Sequence, residues 1–193
     1  MRLKPHLSPM RSPLFSVLML GLLLQATAGA MGFLHDEGMV EAMRYAARYS
    51  GRISFLAYLV SMLVFTRWLS GGVDRTMAVH TAVLFAWMHL LHFGFLAANI
   101  SMSAITPEPM KVAGGALAYG MILTHPLWVR RLRPRHGWHV VHFLYVGLVM
   151  ILTFVARLKG EFPGADPSPV HDVGIAVGLL AIGAFLWQRR ALR

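Results

Sequence analysis

Apolar residues run along this chain in six blocks, each bounded by arginine, glycine or proline. The blocks cover roughly residues 14–34, 53–68, 75–100, 112–129, 138–156 and 171–187. Most are close to the ~20 apolar residues that a helix needs to cross a bilayer. In the connector 35–51, Met39, Val40, Met43, Ala46 and Ala47 recur at helical spacing, with Glu41, Arg44 and Arg48 between them. That pattern predicts a short amphipathic helix on the membrane surface or over the bundle end. Ser70-Gly71-Gly72 marks a turn, and Pro107 and Pro109 stop the third span. Gly114, Gly115 and Gly120 predict a close approach of helices around the fourth. The expected architecture is an all-α membrane protein, a six-helix transmembrane bundle. It shows no internal repeat and no separate soluble domain.

The first block is open to two readings. Arg2, Lys4 and Arg11, a short apolar run and Ala28-Gly29-Ala30 fit a cleavable signal peptide. The same run can continue through Leu34 with only Gln25 inside, as a retained helix. The division adopted is 1–34 as first helix or signal peptide and 35–193 as the bundle, with the retained helix preferred.

Composition sharpens the membrane reading. Charged residues make up 13% of the chain, against roughly 25% in soluble domains. There are no cysteines, which excludes disulfides, iron–sulfur clusters and thiolate-ligated metals. The net charge of +10 is not a nucleic-acid signature, because the basic residues alternate from one side to the other. One set of segments holds twelve (Arg2, Lys4, Arg11, Arg67, Arg75, Arg130, Arg131, Arg133, Arg135, Arg189, Arg190, Arg193) and the other holds six (Arg44, Arg48, Arg52, Lys111, Arg157, Lys159). The positive-inside rule then places both termini in the cytoplasm, and the expected setting is a bacterial inner membrane.

Ten histidines remain to be explained. His6, His35, His136 and His171 fall at termini or interfaces and read as solvated. His125, just before Pro126, reads as a partner for a carbonyl that the proline exposes. His80, His89, His92, His139 and His142 lie in or just inside two spans, where ionisable groups are costly and mark function. Singly, such residues are often polar glue between helices. Five on two helices point instead to haem b, one or two groups, held non-covalently because Cys-x-x-Cys-His is missing.

Depth selects among them. Both histidine helices are expected to start at the inner face. His80 follows Arg75 by five residues and His142 follows Trp138 by four, which puts both about 6–8 Å along their helices. His89 lies about 13 Å deeper than His80 by the same rise, level with Met150 to Val155, where no histidine stands. The expected inner pair is therefore His80 with His142, with His139 as a shallow substitute. His89 and His92, three apart and on one face, would serve a second haem, a quinone or a proton path. Arg75, Arg131, Arg133 and Arg135 would receive an electron donor or hold propionates.

Three stretches carry a resemblance: Val40-Glu-Ala-Met-Arg-Tyr-Ala-Ala-Arg-Tyr-Ser-Gly51-Arg52, the helix from Arg75 through Leu84-Phe-Ala-Trp-Met-His89-Leu-Leu91, and Trp138-His-Val-Val-His142-Phe-Leu-Tyr145. They resemble the ferric reductase-like transmembrane domain family, nearest to the haem-binding membrane subunits of periplasmic methionine sulfoxide reductase systems (MsrQ). The resemblance covers about residues 36–157. It implies b-haem between the third and fifth helices and electrons passing outward from a cytosolic flavin or quinol. On that likeness His89 matches the mid-helix histidine and His142 the histidine of Trp-x-x-x-His. Thr153-Phe-Val-Ala156 stands where such proteins usually carry a further histidine, so an outer haem would lack one ligand. No flavin–nicotinamide domain follows, which implies a separate donor (a flavoreductase or quinol), with FMN or quinone as further cofactors and a periplasmic oxidoreductase as acceptor.

The sequence thus leads to a transmembrane electron-transfer subunit of an oxidoreductase. A haem-free, histidine-lined proton relay or transporter, or a structural membrane subunit, are the readings of other classes.

Overall fold

The computed structural model describes residues 13–35, 38–104, 106, 109–161 and 167–192. The basic segment 1–12, Pro107 and Arg193 lie outside them. Six helices follow one another: α1 (Pro13–Phe33), α2 (Met39–Leu69), α3 (Arg75–Met102), α4 (Pro109–Arg131), α5 (Gly137–Leu158) and α6 (Pro169–Ala191). All six contain a stretch long and apolar enough to cross a bilayer.

The expected surface helix and second span are one element. α2 runs unbroken for 31 residues, about 46 Å at the helical rise, well beyond the ~30 Å hydrocarbon layer. Ser50-Gly51 does not break it, because the helix buries that point against α3. Ser50 is fully buried, and a Cβ on Gly51 would lie 3.1 Å from the His92 ring. Glu41 and Arg44, one turn apart, pair on the protruding part. The predicted turn is present, with Gly71 at φ 79°, a left-handed conformation that glycine adopts without penalty. Asp74 then caps α3 by accepting the Met77 N–H at 2.8 Å.

Packed pairs define the layout. α2, α3, α4, α5 and α6 form a ring, each touching the next and α6 closing on α2, while α1 lies outside against α2 and α3. Aromatic residues fill the ring: Tyr58, Phe65, Phe85, Phe143 and Phe185 are all almost completely buried. Across it, the Tyr58 hydroxyl donates to the Phe143 carbonyl at 2.7 Å.

The close-approach glycines are not those expected. Gly115 and Gly120 face open space, and Gly114 meets only the Tyr145 hydroxyl, 3.7 Å from where a Cβ would sit. The tight contacts lie at α1, where Gly21 meets Trp87, Gly29 meets Phe95 and Gly32 meets the α2 backbone. Gly174 and Gly178 seat α6 on Phe154 and Ile151 of α5. The sequence shows which helices own glycines, but a helix face is fixed only by its neighbours.

α1 is built into the bundle. Gln25 is fully buried and its Nε2 donates to Ser54 Oγ at 2.8 Å and to the Met88 carbonyl at 3.0 Å. Trp87 returns a bond to the Leu18 carbonyl at 3.0 Å. These contacts tie three helices at membrane depth, where an unmet polar group is expensive. A Cβ on Gly32 would stand 2.5–2.7 Å from Ala46 N, Ala42 O and Ala46 Cα, and backbone atoms cannot rotate aside. Gly32→Val is expected to cost about 1–3 kcal/mol, read as a lower midpoint of thermal unfolding in detergent. An unchanged midpoint would show that α1 is not seated on α2 in this way.

Candidate functional site

Three imidazoles meet inside the ring near its arginine-rich end. His125 comes from α4; His139 and His142 come from α5, three residues apart and so on one face. All three are almost completely buried. His125 and His142 stack face to face, centroids 3.6 Å apart and planes within 3°. His139 Nδ1 stands 3.3 Å from His125 Nε2, so one ring donates to the other. α5 reaches this position from a cap in which His136 accepts the Trp138 N–H at 3.2 Å, which sets the start of the helix. Phe65 lies 4.7 Å from the His139 ring, and Phe143 5.1 Å from both His125 and His142. Phe65 and Phe143 thus form an apolar wall around the imidazoles.

Among the described residues, His125 Nδ1, His139 Nε2 and both nitrogens of His142 have no side-chain hydrogen-bond partner, while the Met121 carbonyl of α4 interacts with the His142 ring. An unmet buried polar atom costs about 1–3 kcal/mol. Such a concentration in one place distinguishes the cluster from ordinary polar glue, in which each histidine finds a partner across the helices. Imidazole nitrogen is also the donor type that iron in a b-type haem takes. In donor chemistry, therefore, the residues present fit that group.

His89, from the middle of α3, is buried, and its Nδ1 lies 3.3 Å from the Phe85 carbonyl one turn earlier. With Nδ1–H donated there, Nε2 keeps its lone pair, the state in which histidines bind metals. The Phe85 ring lies 4.5 Å from that of His89 and 6.5 Å from that of His142.

The other candidates are placed differently. His92 is half-buried, holds Ser50 Oγ at 2.9 Å and packs on Gly51, so it joins α3 to α2. Its ring is 6.1 Å from that of His89. His80 is half-buried; among the described residues no ring contact joins it to His142, whose stacking partner is His125. Arg75 donates to the Arg130 carbonyl at 3.2 Å and lies 5.6 Å over Trp68, fastening the start of α3 to the end of α4. Arg135 is exposed, and its carbonyl accepts from Arg189 Nη2 at 3.0 Å.

His125 is the member that the sequence reading passed over. A signal for it exists. α4 ends at Arg130-Arg131, and His125 lies five residues before Arg130, about 8 Å from that end and so level with His142. Comparison with protein-family models, curated proteins and solved structures finds no match to this chain.

Proposed function

We propose that this chain is an integral-membrane b-type haem protein that moves electrons across the bilayer. The donor would be a cytosolic-side flavin or quinol and the acceptor would sit at the opposite face, with the bacterial inner membrane as the setting. The observation that carries this reading is the buried imidazole cluster with its unpartnered nitrogens, followed at mid-helix by His89. Bound haem supplies reversible one-electron chemistry. His142 and His89 are the residues assigned to hold it. His125 sets the plane of the His142 ring by stacking, and His139 sets the tautomer of His125 by its hydrogen bond. Phe65, Phe85 and Phe143 keep the site dry, which raises the strength of every polar interaction inside it. Arg75 and Arg135 supply positive charge at the end where a donor or propionates would approach.

One observation favours a second reading. The His139–His125 hydrogen bond, with the His136 ring 6.5 Å further toward the arginine-rich end, makes a short imidazole chain able to pass a proton. The two readings separate on one measurement. Protein purified after haem-sufficient expression is expected to show a reduced-minus-oxidised b-type spectrum, with at least one haem per chain. No Soret band under those conditions would leave the relay.

A further inference from the structure

Four tryptophans, Trp68, Trp128, Trp138 and Trp187, lie near helix ends on the arginine-rich side. At such a level tryptophan ordinarily keeps its ring in the apolar layer and turns its N–H to headgroups or water. Trp187 fits that use, being 77% exposed. Trp128 does not. Its Nε1 is buried and, among the described residues, has no hydrogen-bond partner. An indole nitrogen only donates, so this buried group calls for an acceptor.

The surroundings of the ring narrow the choice. Trp128 follows His125 by three residues on α4, so the two share a face. It stands about 4.5 Å nearer the arginine-rich end. Both side chains turn to α5: His125 stacks on His142, and Trp128 meets Trp138 edge to face with centroids 5.9 Å apart. The indole therefore enters the same α4–α5 seam as the imidazoles, one turn closer to the end. No carboxylate of the chain serves it there. In the segments of this side the only acidic residue is Asp74, and its Oδ1 accepts the Met77 N–H at the start of α3.

We infer that Trp128 Nε1 donates to a propionate carboxylate of the haem that His142 and His89 are assigned to hold. The inference rests on the proposed function and adds a positioning residue that acts on the porphyrin edge and not on the iron. The two propionates are the polar substituents of a b-type haem and share one edge of the ring. A buried donor between the imidazoles and the arginine-rich end therefore selects which edge faces that end. A hydrogen bond to an ionised carboxylate is about twice as strong as one between neutral groups. It also satisfies a donor that is costly to leave unmet at membrane depth.

The test titrates the haem-free full-length chain in dodecyl maltoside with iron protoporphyrin IX and with its dimethyl ester, in which both carboxylates are neutral. The Soret band reports each affinity. A bond to a charged acceptor is worth roughly tenfold or more in affinity and one to a neutral acceptor a few-fold. Trp128→Phe should therefore cut the preference for the free acid over the ester by about fivefold or more. Trp187→Phe, at the same end but on the exposed face, should leave that preference within about twofold. Phenylalanine keeps a flat ring against Trp138 and removes an unmet donor, so the unfolding midpoint of haem-free Trp128→Phe should hold or rise. An unchanged preference in Trp128→Phe, with haem still bound, overturns the inference alone. An equal loss in Trp187→Phe overturns it as well, by assigning the effect to the interfacial belt. A clear fall in the haem-free midpoint would show that Nε1 serves the fold and not the ligand. No Soret band with either porphyrin in the unaltered chain would take down the proposed function and this inference together.

Discussion

His142→Phe is expected to lower bound haem at least tenfold while the bundle still folds. Phenylalanine keeps a flat ring of similar size, so the stack on His125 at 3.6 Å and the contacts to Phe85 and Phe143 survive. What goes is both ring nitrogens, which have no side-chain hydrogen-bond partner among the described residues. Apolar replacement of an unpartnered polar group in a dry core is close to neutral for stability or favourable. The thermal midpoint of the haem-free protein should therefore hold or rise. His142→Ala is the less informative variant, because it also leaves a cavity and unstacks His125. His125→Phe makes a graded companion. It preserves the stack on His142 and removes only the partner of His139 Nδ1, so haem content should fall less than in His142→Phe. The measurement is haem per chain by pyridine haemochrome, beside the unfolding midpoint. Full haem content in His142→Phe would remove His142 from the ligand set.

The fold was largely legible in the chain. Six apolar blocks must each satisfy their backbone internally, and helices are the solution available to them in lipid. The start of α3 was legible too, since Ser70-Gly71-Gly72 and Asp74 carry their turn and cap chemistry locally. What could not be read is rotation. Gly51 looked like a boundary, yet it is the smooth place on α2 where His92 lies. Gly114, Gly115 and Gly120 looked like contact points, while the tight contacts fall on glycines of α1, α5 and α6. The same difficulty governs the site. Depth along a helix follows from counting residues, and it puts His80, His125 and His142 at one level. Which way each ring points depends on how neighbouring helices are turned. His125 was discounted because Pro126 offered a local use for it, although its depth already matched that of His142.

The last expectation turns on that difference between depth and direction. Counting residues favours His80 as the partner of His142; burial favours His89. His89 is 5% exposed, its Nδ1 is committed to the Phe85 carbonyl, and the Phe85 ring contacts both its ring and that of His142. His80 is half-buried, and among the described residues no hydrogen bond orients its ring. A ligand whose second nitrogen is held is pre-aligned and more basic at the first. Under the proposed function, His89→Leu should therefore reduce bound haem at least tenfold, and His80→Leu should change it less than twofold. Both substitutions keep an apolar side chain of comparable bulk in a helix, so neither should prevent insertion. If the chain carries two haems, His89→Leu should remove one set of α-band intensity and leave the other. Spectra of His80→Leu, His89→Leu and the double variant decide the matter. Full haem in His89→Leu with loss in His80→Leu would mean that axial level, and not the packing around each ring, selects the ligands in this bundle.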